Sequence, residues 1–193
     1  MDIDLVPTPS QTVGPFFHFC LTTEKNCVGC IAGPQVKGER VWLTIRVVDG
    51  NGEGLPDAMI EIWQADSEGK YNHPDDWQQK KVDPEFLGFG RMGTSESGIC
   101  EFETIRPGRV PGPGNTLQAP HLNVAVFGRG MLKQLYTRIY FAGDPANLED
   151  PVLALVPAER RETLMAYPDS ARPGGWRFAV RLQGEDETVF FDI

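Results

Sequence analysis

The sequence lacks an apolar run long enough to cross a membrane, because it contains no stretch of eighteen or more apolar residues. A basic run is also missing, and the formal net charge is −9. Binding to nucleic acid or to an anionic membrane surface is therefore not expected. The first four residues, Met1–Asp4, lack the apolar core of a signal peptide, which predicts a cytoplasmic protein.

Cysteine is scarce, with four residues: Cys20, Cys27, Cys30 and Cys100. In the cytoplasm these thiols are expected to be reduced. Cys27 and Cys30 have CxxC spacing, which leaves a zinc or redox site and a plain loop as two interpretations. The plain loop is favoured because a second CxxC is missing and no βαβ pattern follows.

Turn-forming residues are abundant, since the 193 residues include 21 Gly and 16 Pro. They are spread along the chain, a distribution that indicates turns between short strands and not a disordered tract. Alternating or β-branched segments between these turns predict seven strands: 41–48, 58–63, 100–105, 121–127, 134–141, 176–182 and 187–192.

These segments predict an all-β protein, a β-sandwich with one minor helix at Pro157–Ala166. Residues 1–34 show little periodicity and are predicted to form an extended N-terminal arm. Residues 40–193 are predicted to form the sandwich core of a single domain that spans residues 1–193. In the segment from His121, alternation directs Leu122, Val124 and Val126 to one face and the residues between them to the other.

Several segments together resemble the intradiol ring-cleavage dioxygenases, and the resemblance covers nearly the whole chain. One of these segments alone, such as the turn 49–52, would be a weak signal. The segments are Thr8–Phe17, Asp49–Gly52, Ile60–Asp66, Gly69–Tyr71, Phe89–Arg91, Thr104–Gly108, Arg138–Phe141 and Gly184–Asp192.

The resemblance implies a ferric iron held by two Tyr and two His, since phenolate is a hard donor that stabilises Fe(III). Tyr71 and His121 occupy the positions of one Tyr and one His. Val110 stands where the second Tyr is expected and Asn123 where the second His is expected. Gln118 replaces the Arg that precedes the His pair. Two ligands of four do not make a ferric site, so no metal ligand and no catalytic residue is assigned to this chain.

The same resemblance implies a partner, because heteromeric members of the family place the complete ligand set in one chain and lose it in the other. The Fe(III) is then expected in a partner beta subunit, within a hetero-oligomer that cleaves a small aromatic substrate. The arm is expected to reach the partner and to line one side of its active site.

Four residues are predicted to bind substrate in this way: Thr12, Gly14, Pro15 and Arg129. Gly14 allows close backbone approach and Pro15 restricts the backbone, which suits a pocket wall. The alternative is an arm that only grips a neighbour. The resemblance also implies that Arg129 faces a substrate carboxylate, a group with which a guanidinium pairs well. An exposed, solvated Arg is the alternative.

Two other functions remain open from the sequence. One is a self-sufficient dioxygenase with an unusual iron shell, which a metal assay on the lone chain would distinguish. The other is a non-catalytic β-sandwich binding module. Tyr71 and His121 have two interpretations, polar residues that pack in a degenerate pocket or a remaining metal role, and the first is favoured. Trp63 is expected to be a core residue and not a stacking platform.

Overall fold

The fold is built from two packed β-sheets in a computed structural model that describes Thr12, Gly14 and residues 17–192. The strands are β1 Arg40–Val48, β2 Ala58–Trp63, β3 Phe89–Gly93, β4 Ile99–Ile105, β5 Val110–Pro111, β6 Leu117–Gln118, β7 His121–Gly128, β8 Leu135–Phe141, β9 Met165–Pro168 and β10 Gly175–Arg181. The helical segments are α1 Phe17–Leu21 and three 3-10 turns, Pro145–Glu149, Leu153–Leu155 and Ala158–Leu164.

The strand order is β3-β2-β7-β8-β9-β10-β1-β4, with a separate ribbon of β5 and β6. Short β9 joins the two sheets, since it pairs in parallel with β8 and antiparallel with β10. The first sheet therefore contains β3, β2, β7 and β8, and the second contains β10, β1 and β4. This arrangement confirms the predicted all-β sandwich.

The core lies between the two sheets and follows the alternation of the strands. In β7 the side chains of Leu122, Val124 and Val126 are fully buried, as the period of two predicts. Ile45 in β1 and Phe102 in β4 meet them from the other sheet in one cluster of buried residues. Burial of each such side chain contributes about 1.5–3 kcal/mol, so the sandwich is stabilised mainly by this layer.

An extended strap, residues 27–33, runs between the open edges of β3 and β4. The Val28 N–H donates to Arg91 O at 2.8 Å, and the Ile31 N–H donates to Glu103 O at 2.9 Å. The Ile31 side chain is fully buried in the core. The strap thus packs as part of the sandwich, although it falls within residues 1–34, which the sequence predicts as an arm.

The CxxC pair lies in this strap. Three isolated bridges at residues 28, 30 and 32 show that the strap is extended there. Extended geometry separates the Cα atoms of Cys27 and Cys30 by about 10 Å, which is too far for a disulfide without backbone movement. Both cysteines are free, and the interpretation as a plain connecting segment is the one that fits.

The predicted helix at Pro157–Ala166 is shorter than expected and has 3-10 geometry, from Ala158 to Leu164. It ends because Met165 pairs with Tyr140 in β8 and so begins β9. Within the described part of the chain, no helix has the length and apolarity needed to span a membrane.

The strand predicted at 187–192 is reduced to one bridge between Phe191 and Tyr136. The segment is held by Thr188, which is buried and whose hydroxyl accepts from the Arg181 N–H at 2.9 Å. Its contacts with the sandwich thus come from side chains and isolated bonds, which the alternating pattern does not distinguish from a strand.

Candidate functional site

The positions at which the resemblance implies iron ligands lie near one end of the β2–β7 pair. Trp63 ends β2 directly opposite Asn123 of β7. The Trp63 ring stacks on Tyr71, with ring centroids 5.9 Å apart and planes 8° apart. The cleft beside these rings, called the Tyr71 cleft below, has a volume of about 460 Å³ and is lined by Trp63, Tyr71, His73, Asp75, Asp76, Trp77, Gln78, Val110, Pro111 and Gln118.

A buried ion pair holds the loop that carries Tyr71. Lys70 Nζ lies 3.0 Å from Asp76 Oδ1, and both side chains are almost fully buried. The other carboxylate oxygen of Asp76 accepts from the Tyr71 N–H at 2.9 Å. Asp66 begins the loop and accepts from the Lys70 N–H at 2.9 Å. These bonds fix the Tyr71 backbone, and local sequence patterns do not predict a buried ion pair at this spacing.

The Tyr71 phenol faces an amide and not an imidazole. Asn123 Nδ2 donates to the Tyr71 hydroxyl at 3.3 Å and to Trp63 O at 3.4 Å. Burial raises the pKa of the Tyr71 phenol, and this outweighs the opposite effect of the Asn123 hydrogen bond. Tyr71 is therefore a neutral phenol at pH 7.

His121 lies on the same face of β7 as Asn123, in a drier place. Its Nδ1 is 2.8 Å from Ala119 O, and its ring centroid is 5.8 Å from that of Tyr140. Burial, together with the charge of Arg138, lowers the pKa of His121 to about 4. Its Nε2 is buried and lacks a hydrogen-bond partner among the described residues.

Arg138 and Gln118 close the network behind the cleft. Arg138 Nη1 donates to Gln118 Oε1 at 2.7 Å and to the Tyr140 hydroxyl at 3.3 Å. Gln118 Nε2 in turn donates to Pro111 O at 2.8 Å. The side chain that replaces the family Arg is therefore tied to its neighbours.

The residues present do not fit ferric iron. The Asn123 amide points an N–H toward the Tyr71 phenol oxygen. The partial positive charge of this N–H would repel a cation placed between the two groups. Val110 is almost fully buried and has no donor atom. Of the four positions, only 71 and 121 carry a suitable donor, and two donors cannot satisfy the four-residue set that the resemblance implies. In the described residues no group of three or more His, Cys, Asp or Glu could hold a metal ion.

Three of the four predicted substrate-binding residues meet at the opposite end of the β2–β7 pair. Arg129 follows β7, and the N–H of its neighbour Gly130 donates to Thr12 Oγ1 at 3.1 Å. The same oxygen accepts from the Gly14 N–H at 3.3 Å. Thr12, Gly14 and Arg129 are called the arm cluster below. Pro15 lies outside the described residues.

Arg129 forms an ion pair that sequence reasoning missed. Its Nη2 lies 2.6 Å from Oδ2 of Asp57, the residue directly before β2. The Arg129 side chain is 59% exposed, and that of Asp57 is 29% exposed. Only the strand register, with Ala58 opposite Gly128, brings the two together, and a single sequence does not reveal that register.

Gly14 has a left-handed backbone, with φ of +71°. Among the described residues, no atom lies within 4 Å of a Cβ built at this position. As far as the described residues go, the space at Gly14 is therefore open, which suits close approach by another molecule.

The chain matches a family model described as Dioxygenase over residues 13–184. It is similar to the protocatechuate 3,4-dioxygenase alpha chain of Burkholderia cepacia, with 44% identity over 98% of this chain and 98% of that one. The alpha chain from Pseudomonas putida is 38% identical over 100% of both chains.

Two further similarities concern a second chain type and the fold. The protocatechuate 3,4-dioxygenase beta chain of Burkholderia cepacia is 35% identical over 93% of this chain and 77% of its own length. The solved dioxygenase domain of a dioxygenase and carbohydrate-binding protein fusion from Streptomyces sp. SirexAA-E is 25% identical. It covers 93% of this chain and 99% of that domain, with a TM-score of 0.62.

Proposed function

Because this chain belongs to the intradiol ring-cleavage dioxygenase family, we propose that it is the non-iron alpha subunit of a protocatechuate 3,4-dioxygenase. The assembly cleaves protocatechuate with O₂ to 3-carboxy-cis,cis-muconate, a step in the catabolism of aromatic compounds. The chain is then an oxidoreductase subunit that is inactive alone.

The observation that carries this proposal is the incomplete donor set at the Tyr71 cleft. The family is iron-dependent, yet Val110 has no donor atom and Asn123 turns an N–H toward Tyr71. A chain with these residues needs a partner that holds the Fe(III). The resemblance implies the complete set in a beta subunit, and a beta chain that is 35% identical to this chain fits that need.

The position of the arm cluster supports action on another chain. Five residue steps separate the Ala58–Gly128 pair from the Trp63–Asn123 pair. At strand geometry this is about 17 Å, which is too far for Arg129 or Thr12 to contact a ligand in the Tyr71 cleft of the same chain. These residues would therefore serve the pocket of the partner.

The contribution of the chain is positional. In the proposal, Thr12, Gly14 and Pro15 form one wall of the partner's pocket, where they orient the substrate ring and exclude water. Arg129 pairs with the substrate carboxylate, which the net charge of −9 would otherwise repel. The assembly is a cytoplasmic hetero-oligomer of αβ units.

Purification of the chain with and without its partner tests the proposal. The lone chain is expected to carry little iron and to leave protocatechuate unchanged. The complex with a beta-type chain is expected to contain iron and to consume O₂ with protocatechuate. Metal analysis, the tyrosinate-to-iron absorption band and product analysis are measured on both preparations.

The opposite result would be stoichiometric iron with a tyrosinate-to-iron band in the lone chain. Ring cleavage by that preparation would then identify a self-sufficient dioxygenase. Failure to associate with any beta-type chain would equally remove the basis of the proposal.

The role of Arg129 has its own test in the assembled enzyme. Arg129→Ala is expected to lower kcat/KM for protocatechuate about fivefold, while catechol, which has no carboxylate, is affected less. This corresponds to about 1 kcal/mol, the upper range for an exposed ion pair. An equal loss for both substrates would show that Arg129 acts only on structure.

A further inference from the structure

Asp57 lies beside the Arg129 guanidinium, which under the proposed function binds the substrate carboxylate. Arg129 Nη2 and Asp57 Oδ2 are 2.6 Å apart. From this contact we infer that Asp57 is a positioning residue, which holds Arg129 in the orientation that receives a carboxylate. The inference rests on the proposed function of the arm cluster.

The backbone makes this contact a fixed one. Ala58 begins β2 and pairs with Gly128, the last residue of β7, so Asp57 and Arg129 both follow directly beyond a rigid strand pair. The turn after Arg129 is tied to the arm, because the Gly130 N–H donates to Thr12. Asp57 therefore holds the more exposed Arg129 side chain from a position at the end of a paired strand.

Arg129 needs such support because it is more than half exposed. An exposed Arg has many accessible rotamers, and it loses that freedom when it binds an anion. An ion pair that selects one rotamer in advance lowers this loss, in the way that preorganisation generally improves binding.

The chemistry of the guanidinium allows both contacts at once. The group carries five N–H donors in a planar fork, and the ion pair with Asp57 uses the Nη2 side. The other N–H of Nη2, together with the N–H beside it, can still serve a second carboxylate. Asp57 also brings a negative charge close to the incoming carboxylate. Removal of that charge therefore weakens carboxylate binding if Asp57 positions Arg129, and strengthens it if repulsion dominates.

The test is the ratio of kcat/KM for protocatechuate to kcat/KM for catechol in the assembled enzyme. Asp57→Asn is expected to lower this ratio about twofold to fivefold, the range of an exposed ion pair. Asp57→Glu keeps the charge and is expected to recover part of the ratio. Iron content, assembly size and thermal midpoint are measured on each variant.

Two comparisons separate positioning from a general effect on structure. In enzyme that already carries Arg129→Ala, Asp57→Asn is expected to leave the ratio unchanged, because its effect passes through Arg129. Asp192→Asn removes the partner of Lys133 in a similar exposed pair at 3.1 Å. This matched control is expected to leave the ratio as it is in the wild type.

A ratio that rises in Asp57→Asn, or that does not change, would overturn the inference. So would an equal fall in the Arg129→Ala enzyme. If Asp57→Asn does not assemble, the ratio of kcat/KM values is compared between Asp57→Glu and the control Asp192→Glu. A longer side chain displaces the carboxylate from Arg129, so Asp57→Glu must also lower the ratio relative to that control. If Arg129→Ala lowers the ratio of kcat/KM values but Asp57→Asn does not, only this inference is rejected. If Arg129→Ala itself leaves the ratio unchanged, the proposed role of the arm cluster is rejected.

Discussion

His121 keeps the side chain of a metal ligand in surroundings that favour its neutral form. The residue is 3% exposed and lies beside the cationic Arg138 network. Its folded pKa of about 4 is below the ordinary value of 6.5. The unfolded chain therefore binds more protons than the folded chain between these values, and folding loses stability as the pH falls from 6.5 to 4.

His121→Phe is expected to flatten this pH dependence. The wild-type chain should lose roughly 3 kcal/mol of its free energy of unfolding through this group between pH 7 and pH 4. Urea denaturation of both chains across that range measures the difference, and the comparison at pH 8 gives the cost of the substitution itself. Parallel curves for the two chains would contradict the buried neutral imidazole.

Gly14 offers a second test at the residue scale. Gly14→Ala and Gly14→Leu share the strain of a left-handed backbone, roughly 1–2 kcal/mol, and they differ only in the size of the side chain. In the assembled enzyme Gly14→Leu is expected to lower kcat/KM for protocatechuate about tenfold, and Gly14→Ala is expected to lower it less.

Since no described residue approaches a Cβ built at Gly14, a difference between the two variants would, under the proposed function, report on the partner's pocket. Iron content and assembly size are measured in parallel, so that loss of the complex is recognised. Equal kinetics for Gly14→Leu and the wild type would leave the arm as a scaffold.

The residue types at the Tyr71 cleft could be assigned from sequence, but their contacts could not. Alternation places His121 and Asn123 on one face of β7, as observed. The direction of the Asn123 amide, the stacking of Trp63 on Tyr71 and the Asp57–Arg129 pair depend on strand register and loop conformation. Those are set by long-range pairing, which a local pattern does not contain.

At the scale of one element, the loop 66–78 depends on a buried charge. Lys70 is paired with Asp76, and both side chains are less than a tenth exposed. Removal of one partner from such a pair leaves an uncompensated buried charge and costs about 3–5 kcal/mol.

Lys70→Met is therefore expected to lower the free energy of unfolding by about 3 kcal/mol or more. It should also weaken the quenching of Trp63 by its stacked neighbour Tyr71, because the loop loses its anchor. Lys133→Met is the matched control, since Lys133 pairs with the exposed Asp192 and should cost less than about 1 kcal/mol. Similar losses from the two variants would show that the buried pair has no special role.

Strands were more predictable than the segments between them. Long alternating runs such as 41–48 have one apolar face, and the sandwich buries that face. Short β9 carries no such signal, because it exists only through pairing with β8 and β10. The same pairing ends the expected helix at Leu164. Local propensity cannot predict this end, because it depends on a strand pairing with residues distant in the sequence.

At the scale of the whole molecule, the chain is expected to be a permanent partner. Obligate interfaces bury more area and are more apolar than transient ones. Leu148 and Leu155 are 91% and 82% exposed in the chain alone, although such side chains are ordinarily buried. The partner-bound chain should therefore unfold at a higher temperature than the lone chain, and its thermal midpoint should rise with concentration.

Differential scanning calorimetry of the lone chain and of the complex, each at several concentrations, measures this effect. A complex that dissociates on gel filtration at micromolar concentration would contradict a permanent assembly. So would an identical midpoint for the chain with and without its partner.

The strap at 27–33 also restricts how the molecule can associate. Its backbone uses N–H and C=O groups of Arg91 and Glu103, which are the groups that an edge strand would otherwise present to a foreign chain. Growth by templating, in which one sheet extends into the next molecule, is hindered where the strap runs. The chain can therefore keep apolar side chains such as Leu148 and Leu155 exposed for the expected partner, while the strap protects it from the strand-by-strand polymerisation that leads to fibrils.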